Sequence, residues 1–146
     1  MVILETRELT KRFGGLSAVN RVSIKVPQGS IYSIIGPNGA GKTTLFNCIT
    51  GFYPPDEGDM LFSGTSLLGY APYRVTRQGI SRTYQNIRLF PAMTARENIL
   101  VGAHPQLKSN WVDAILHTPR QRKEEQQALE QALELLNFVG LKGKGD

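Results

Sequence analysis

The most informative segment of the sequence is Gly36-Pro37-Asn38-Gly39-Ala40-Gly41-Lys42-Thr43-Thr44. Apolar residues precede it at 31–35 and follow it at 45–49, so the segment is predicted to be a turn between a buried strand and a helix. Its glycines allow backbone conformations that a Cβ would block, and they let amide N–H groups approach a ligand. A helix beginning near Lys42 adds unpaired N–H groups and a positive dipole end, both of which favour anions.

The spacing of these glycines, the lysine and the threonine is that of a phosphate-binding loop, and it predicts a nucleoside triphosphate as ligand. We expect Lys42 to reach the β and γ phosphates and the Thr43 hydroxyl to bind Mg²⁺. A flexible turn with a solvated lysine does not explain why every residue falls on this spacing. A dinucleotide loop is disfavoured, because Lys42, Thr43 and Thr44 stand where its third glycine is required.

Composition indicates a globular protein. The 146 residues, 40% of them hydrophobic, fit one domain or part of a larger one. No apolar run is long enough to cross a bilayer. The single cysteine, Cys48, excludes an internal disulfide and is expected to be a small buried side chain. We therefore expect a soluble, cytosolic protein.

The net charge of +5 comes from basic residues spread along the chain. A nucleic-acid binder more often concentrates its basic residues on one element, with aromatic residues between them. The excess is weak evidence for anionic partners, such as nucleotide or membrane headgroups, and solvated surface charge is the default interpretation.

Local patterns predict elements on both sides of the loop. Two strands come before the strand that leads into the loop, whereas small phosphate-loop kinases usually carry their loop on the first strand. The final helix has an apolar stripe of leucines and alanines on one face. The predicted elements are strands at residues 2–9, 22–26, 30–35, 59–64 and 80–84, a short helix after Pro72, a helix after a capping box at Thr94 and Glu97, and a helix at about 120–138 with Ala128, Leu129, Ala132, Leu133 and Leu136 on its apolar face.

Four further residues are candidates for function. Phe13, in a glycine-rich turn, is equally consistent with stacking on adenine and with folding onto the core. Gln85, after a predicted strand, offers an amide oxygen for Mg²⁺ or water, although the sequence alone favours a turn glutamine. His104 and His117 have no second metal ligand at useful spacing, so both are expected to be structural or exposed.

Taken together, these residues resemble the ATP-binding subunits of ABC transporters over essentially the whole chain. Phe13 matches the adenine-stacking aromatic residue, residues 36–44 match Walker A, and Gln85 matches the Q-loop glutamine. Residues 11–15, 44–47, 50–53 and 82–90 are most similar to the ATPase of branched-chain amino-acid importers, and lipopolysaccharide-export ATPases are the nearest alternative.

The resemblance implies an α/β fold: a P-loop NTPase of the ABC type with an antiparallel β leader and the start of the helical subdomain. Residues 1–90 are the expected ATP-binding core portion, and residues 91–146 the expected partial helical subdomain. ATP and Mg²⁺ are the implied cofactors. Phe13 and residues 36–44 are implied to bind nucleotide, Lys42 and Gln85 to act in catalysis, and Thr43 and Gln85 to ligate the metal.

The same resemblance implies membrane permease subunits as partners, contacted near residues 86–90, together with a second ATPase subunit. A solute-binding protein would act indirectly, and nucleic acid is not an expected partner. The implied location is the cytoplasm, on the inner face of the cell membrane.

The family's signature sequence, its Walker B aspartate with the adjacent catalytic glutamate, and its switch histidine are not found in the chain. We interpret the chain as the N-terminal portion of a longer subunit, truncated before the signature motif. ATP hydrolysis coupled to import is then expected of the full-length subunit. The alternatives are a nucleotide-binding fragment without turnover and a non-transport ABC ATPase that acts on DNA or ribosomes.

Overall fold

The computed structural model of the chain describes residues 1–84, 87–103, 119–141 and 143. They belong to two compact units, Met1–Thr83 and Tyr84–Asp146. The sequence-based division at residue 90 stays a prediction. The described elements are β1 (Val2–Phe13), β2 (Leu16–Pro27), α1 (Lys42–Ile49), β3 (Glu57–Phe62), β4 (Thr65–Ser66), α2 (Pro72–Arg77), α3 (Ala95–Ala103) and α4 (Pro119–Phe138).

A long hairpin of β1 and β2 begins the first unit. Its antiparallel pairing runs from Val2 opposite Pro27 to Phe13 opposite Leu16. The two strands are therefore longer than the predicted strands at residues 2–9 and 22–26. They continue up to a tight turn at Gly14 and Gly15, and the first of these glycines has φ +58°.

Within the described residues, the strands form one sheet in the order β2-β1-β3-β4, with antiparallel pairing throughout. One side of this sheet packs on α1. The buried core consists of Leu9, Val19, Leu45, Cys48, Ile49, Met60 and Leu67. Cys48 is fully buried, as predicted, and burial raises the pKa of its thiol. The helix that follows the glycine loop is thereby fixed to the hairpin that precedes it.

The predicted strand at residues 30–35 is wrong: these residues have no strand conformation. Ile31 is 99% exposed and Ile35 is 93% exposed, while Ile34 packs against the core. Apolar, β-branched side chains favour extended backbone, but a strand forms only when a neighbour completes its ladder. Among the described residues, no strand pairs with this segment.

The predicted strand at residues 80–84 is also wrong, and for the same reason. Its residues have no assigned strand and no ladder partner in the described part of the chain. Ile80 nevertheless packs against the core cluster. The predicted strand at residues 59–64 is confirmed as β3, which begins at Glu57, and the predicted helix after Pro72 is confirmed as α2.

The second unit contains α3 and α4. The predicted capping box precedes α3: the Thr94 N–H donates to Glu97 Oε2 at 2.8 Å, and the Glu97 N–H donates to Thr94 Oγ1 at 3.2 Å. The Thr94 N–H and, after it, the Thr94 hydroxyl, which donates to the same carboxylate oxygen at 3.1 Å, hold the pKa of Glu97 below its ordinary value. No described helix combines the length and the apolar character needed to cross a membrane.

Helix α4 confirms the predicted helix at 120–138 but corrects part of its apolar face. Ala128, Ala132 and Leu136 are buried, whereas Leu133 is 42% exposed and Leu129 is half-buried. The buried stripe is therefore narrower than predicted, and alanines occupy two of its three apolar positions. His104 and His117 lie outside the described residues.

We expect Gly58→Ala to destabilise the first unit by more than about 3 kcal/mol. Gly58 has φ +87°, and a Cβ there would lie 2.4 Å from the Arg7 carbonyl oxygen and 2.5 Å from that of Glu8. Gly64→Ala is the matched control, since Gly64 has φ +81° but no atom within 4 Å of its Cβ position. The control should lower the free energy of unfolding by only about 1–2 kcal/mol, which is the cost of a left-handed backbone conformation for alanine. Urea unfolding measures both, and equal losses would contradict a role for the close approach.

Candidate functional site

The glycine loop joins residues 28–35, which follow β2, to the start of α1. Residues 36–40 are exposed, and the Ala40 N–H donates to the Pro37 carbonyl at 3.3 Å. Gly39 and Gly41 have φ values of +85° and +84°. Both conformations favour glycine, so the loop's curvature depends on these two positions. The loop therefore keeps a solvent-facing backbone while it turns sharply into the helix.

Gly41 is also held by a close approach to β2. A Cβ on this residue would lie 2.0 Å from the carbonyl oxygen of Ala18 and 3.7 Å from a methyl carbon of Val19. Only glycine can occupy the position without displacing the strand. The hairpin therefore sets where the loop ends and where α1 begins.

The start of α1 is open to an anion. Gly41 occupies the N-cap position, so no side chain caps the helix, and the first turn of α1, which is described in full, contains no acidic residue. The Leu45 N–H is taken by the Gly41 carbonyl at 2.9 Å. The N–H groups before Leu45 have no partner within an α-helix, and they lie at the positive end of its dipole. A phosphate group matches this arrangement in both charge and hydrogen bonding.

Lys42 folds back across the loop. Its Nζ donates to the carbonyl oxygens of Gly36 at 2.6 Å and Pro37 at 2.7 Å. These two hydrogen bonds hold the ammonium beside the loop, and the two carbonyl dipoles partly compensate its charge. A phosphate at the start of α1 would offer the same ammonium a charged acceptor, and charge-assisted hydrogen bonds are stronger than neutral ones.

Thr43 is exposed in the first turn of α1, where its hydroxyl is available to a metal that also binds phosphate oxygens. The described residues contain no cluster of three or more His, Cys, Asp and Glu side chains able to hold a metal. A Mg²⁺ ion here would depend on Thr43 and on the ligand's own oxygens. That pattern suits Mg²⁺, which keeps much of its water and few protein ligands. Gln85, the other predicted metal ligand, lies outside the described residues.

Phe13 ends β1 at the tip of the hairpin. It is 44% exposed and does not belong to the buried core, so the interpretation as a core residue is wrong. Its partner across the hairpin, Leu16, lies two residues before Ala18, which corresponds to about 7 Å of strand. The aromatic ring and the glycine loop are therefore held by neighbouring positions of the same strand.

A loop after α1 is attached to this hairpin tip. Asp56 accepts hydrogen bonds from the Arg12 N–H at 2.6 Å and from Lys11 Nζ at 3.0 Å. Its own N–H donates to the Thr10 carbonyl at 2.9 Å. The Arg12 hydrogen bond and, after it, Lys11 hold the pKa of Asp56 below its ordinary value. The carboxylate is therefore ionised at neutral pH, and the loop stays attached.

Sequence reasoning missed three residues near the site. Tyr53 contacts the Phe13 ring, and Asp56 attaches its loop to β1. Arg82, three positions before Gln85, donates from Nη1 to Asn47 Oδ1 at 2.7 Å and lies over the ring of Phe46. All of these contacts join residues 35 or more positions apart, so they leave no local pattern in the sequence.

The hairpin, the glycine loop and α1 together define a domain of the phosphate-loop NTPase class. The family model described as "ABC transporter" matches residues 19–144. The chain therefore belongs to the ABC transporter family, in the α/β fold of its ATP-binding subunits.

Curated relatives narrow the comparison. The chain is 48% identical over 139 residues to the high-affinity branched-chain amino acid transport ATP-binding protein BraF of Pseudomonas aeruginosa. It is 45% identical to LivG of Escherichia coli, which carries the same description, and 41% identical to the probable LivG of Archaeoglobus fulgidus. These alignments cover 95–97% of the chain but 54% of each relative. The chain thus spans about half the length of the curated relatives it matches.

Solved structures agree on the fold. A nucleotide-free ATP-binding cassette of an ABC transporter matches all of this chain and 57% of its own, with a TM-score of 0.78 and 36% identity. A cassette in its ADP conformation matches with the same coverage, TM-score and identity.

We expect Gly41→Ala to weaken MgATP binding at least about 100-fold, because the new Cβ would collide with the Ala18 carbonyl and displace the loop. Gly39→Ala is the matched control, with an equally left-handed φ but no atom within 4 Å of its Cβ position. The MgATP affinity of this control should fall about tenfold or less. Titration calorimetry measures both, with circular dichroism to confirm folding. Binding by folded Gly41→Ala within twofold of the unaltered chain would contradict this account of the loop.

Proposed function

We propose that this chain is the nucleotide-binding portion of an ATPase subunit that powers import of branched-chain or related amino acids. One observation carries the proposal: a glycine loop, held by Ala18 at Gly41, opens onto an uncapped helix start with Lys42 folded beside it. The names of the relatives that are 41–48% identical support the transported class.

Each residue has a stated role in this proposal. The loop at residues 36–44 binds the phosphates, and Lys42 leaves its two carbonyl acceptors to reach the β and γ positions. Thr43 would hold Mg²⁺ through its hydroxyl, and the ion would supply positive charge to the phosphates when bound. Phe13 stacks on adenine. Gln85 is assigned to the metal and the γ-phosphate on the motif resemblance alone.

Hydrolysis belongs, in this proposal, to the full-length subunit paired with a second ATPase subunit. Phosphoryl transfer needs a group that orients the attacking water, and no residue of this chain is assigned that task. Residues 1–90 form the ATP-binding core portion and residues 91–146 part of the helical subdomain. Nucleic acid is not a partner.

The proposed location is the cytoplasmic face of the membrane, against permease subunits that receive solute from a binding protein. Exposed apolar side chains in the stretch before α3 support such a contact. Ile87 is 70% exposed, Leu89 is 68% and Phe90 is 54%. Burial of apolar side chains of this size lowers the free energy, so contact with a partner surface is favoured there.

Comparing ATP with inorganic triphosphate separates binding of the base from binding of the phosphates. Phe13→Ala should weaken ATP binding about tenfold and leave inorganic triphosphate within about twofold, because stacking contributes roughly 1–3 kcal/mol per base. Lys42→Ala should weaken both ligands, since it removes the charge that meets the phosphates. Lys25→Ala, on the exposed face of β2, is the matched lysine control and should leave both unchanged. Calorimetric titration in the presence of Mg²⁺ gives all the affinities.

The alternatives are tested by turnover and by nucleic-acid binding. We expect the chain to release phosphate from MgATP no faster than its Lys42→Ala variant in a coupled phosphate assay. A clearly higher rate would show that the residues needed for hydrolysis are present after all. Salt-sensitive binding to DNA or RNA would contradict the transporter assignment, whereas recovery of a membrane permease with the full-length subunit would support it.

A further inference from the structure

We propose that Tyr53 is a positioning residue for base recognition, because it holds the Phe13 ring at a set place relative to the phosphate loop. The inference rests on the proposed function, in which Phe13 stacks on adenine. It adds a second aromatic residue, from another part of the chain, that determines how well Phe13 can do so.

The two rings make a direct contact. Their centroids are 5.3 Å apart and their planes meet at 78°, an edge-to-face geometry. Aromatic pairs prefer this arrangement because the positive ring edge of one faces the negative ring face of the other. Phe13 lies at the end of β1 and is followed by two glycines, so the residues directly after it offer no side chain to restrict its ring. Tyr53 supplies that restriction from 40 positions further along the chain.

Tyr53 is itself fixed to the end of α1. The N–H groups of Phe52 and Tyr53 both donate to the Asn47 carbonyl, at 2.9 and 3.1 Å. Gly51, at φ +77°, brings the backbone so close to the Tyr70 carbonyl that a Cβ there would lie 2.7 Å from its oxygen. The aromatic side chain therefore follows the helix terminus rather than moving with a free loop.

This attachment relates the two halves of the proposed nucleotide site. Helix α1 has eight residues, about 12 Å, with the phosphate loop at its first turn and the Tyr53 loop at its last. A hydrogen-bonded helix of this length is stiff. The contact between Tyr53 and Phe13 thus sets the distance between the stacking ring and the phosphate loop, which suits a ligand with an aromatic base at one end and phosphates at the other.

A charged pair supports the same arrangement. The Lys11 ammonium lies over the Phe13 ring, 5.6 Å from its centroid, while Asp56 accepts from that ammonium at 3.0 Å. Asp56 belongs to the same loop as Tyr53, so one loop places both a ring and a carboxylate against the hairpin tip. Even so, Phe13 remains 44% exposed and Tyr53 37% exposed. The ring is held without being covered, and a surface ordered before binding loses less conformational entropy when a ligand arrives.

The test compares ATP with inorganic triphosphate in three variants. Tyr53→Leu should weaken ATP about three- to tenfold and leave triphosphate within about twofold, because only the base contact is disturbed. Tyr53→Phe keeps the ring and should retain ATP affinity within about twofold. Tyr73→Leu, which replaces an exposed tyrosine of α2, is the matched control and should change neither ligand.

A double variant decides between positioning and direct contact. If Tyr53 acts through Phe13, then Phe13→Ala combined with Tyr53→Leu should bind ATP no more weakly than Phe13→Ala alone. Additive losses would overturn the proposal, as would equal loss of ATP and triphosphate in Tyr53→Leu. Retained triphosphate binding also shows that the variant is folded.

The results distinguish failure of this inference from failure of the proposed function. If Phe13→Ala weakens ATP but Tyr53→Leu does not, Tyr53 has no positioning role, while the stacking role of Phe13 stands. If Phe13→Ala leaves ATP affinity unchanged, the stacking role is wrong and the inference fails with it. Calorimetric titrations of the unaltered chain and the five variants with both ligands give every comparison.

Discussion

The approach of the Ala18 carbonyl to Gly41 is the contact on which the arrangement of the first unit depends. It joins a strand of the hairpin to the last residue before α1, with no room for a side chain between them. Three features are related through this one point: the hairpin tip with Phe13, the glycine loop and the helix axis. A shift of the strand by a fraction of an ångström would carry the start of the helix with it.

Hydrophobic packing holds that contact in place from both sides. Val19 follows Ala18 and is buried, and Leu45 lies one helical turn after Gly41 and is buried as well. Both belong to the same core cluster as Leu9 and Met60 of the sheet. Because burial of apolar surface is the main favourable contribution to folding, the polar loop is positioned by residues that never face a ligand. The position of the exposed loop consequently depends on the packing of the buried core.

The sequence predicted best what depends on neighbouring residues. The helix start at Lys42 and the capping box at Thr94 follow from local spacing, and both are present. The strand predicted at residues 30–35 did not form, because strand formation needs a partner that local patterns do not supply. The residue types there favour β structure, yet the side chains of Ile31 and Ile35 lie in solvent.

In the candidate site, too, the sequence predicted the features that depend on neighbouring residues and not those that depend on distant ones. The glycine spacing identified the loop, since Gly39 and Gly41 both have a left-handed φ and Gly41 is also required by a close approach. For Phe13 the sequence left two interpretations equal, and exposure together with its position outside the core removed one of them. The contact of Phe13 with Tyr53 could not be predicted, because it exists only when the hairpin and the end of α1 fold together.

The position of Lys42 has a consequence for ligand selection. Its ammonium already has two carbonyl acceptors, so a ligand gains only the difference between its own attraction and theirs. A carboxylate, with a single negative charge, gains less from that exchange than adjacent phosphates, which place several negative charges close together. The two carbonyl hydrogen bonds of Lys42 thus favour anions of high charge density over anions of low charge density, and this selection needs no further contact with the ligand.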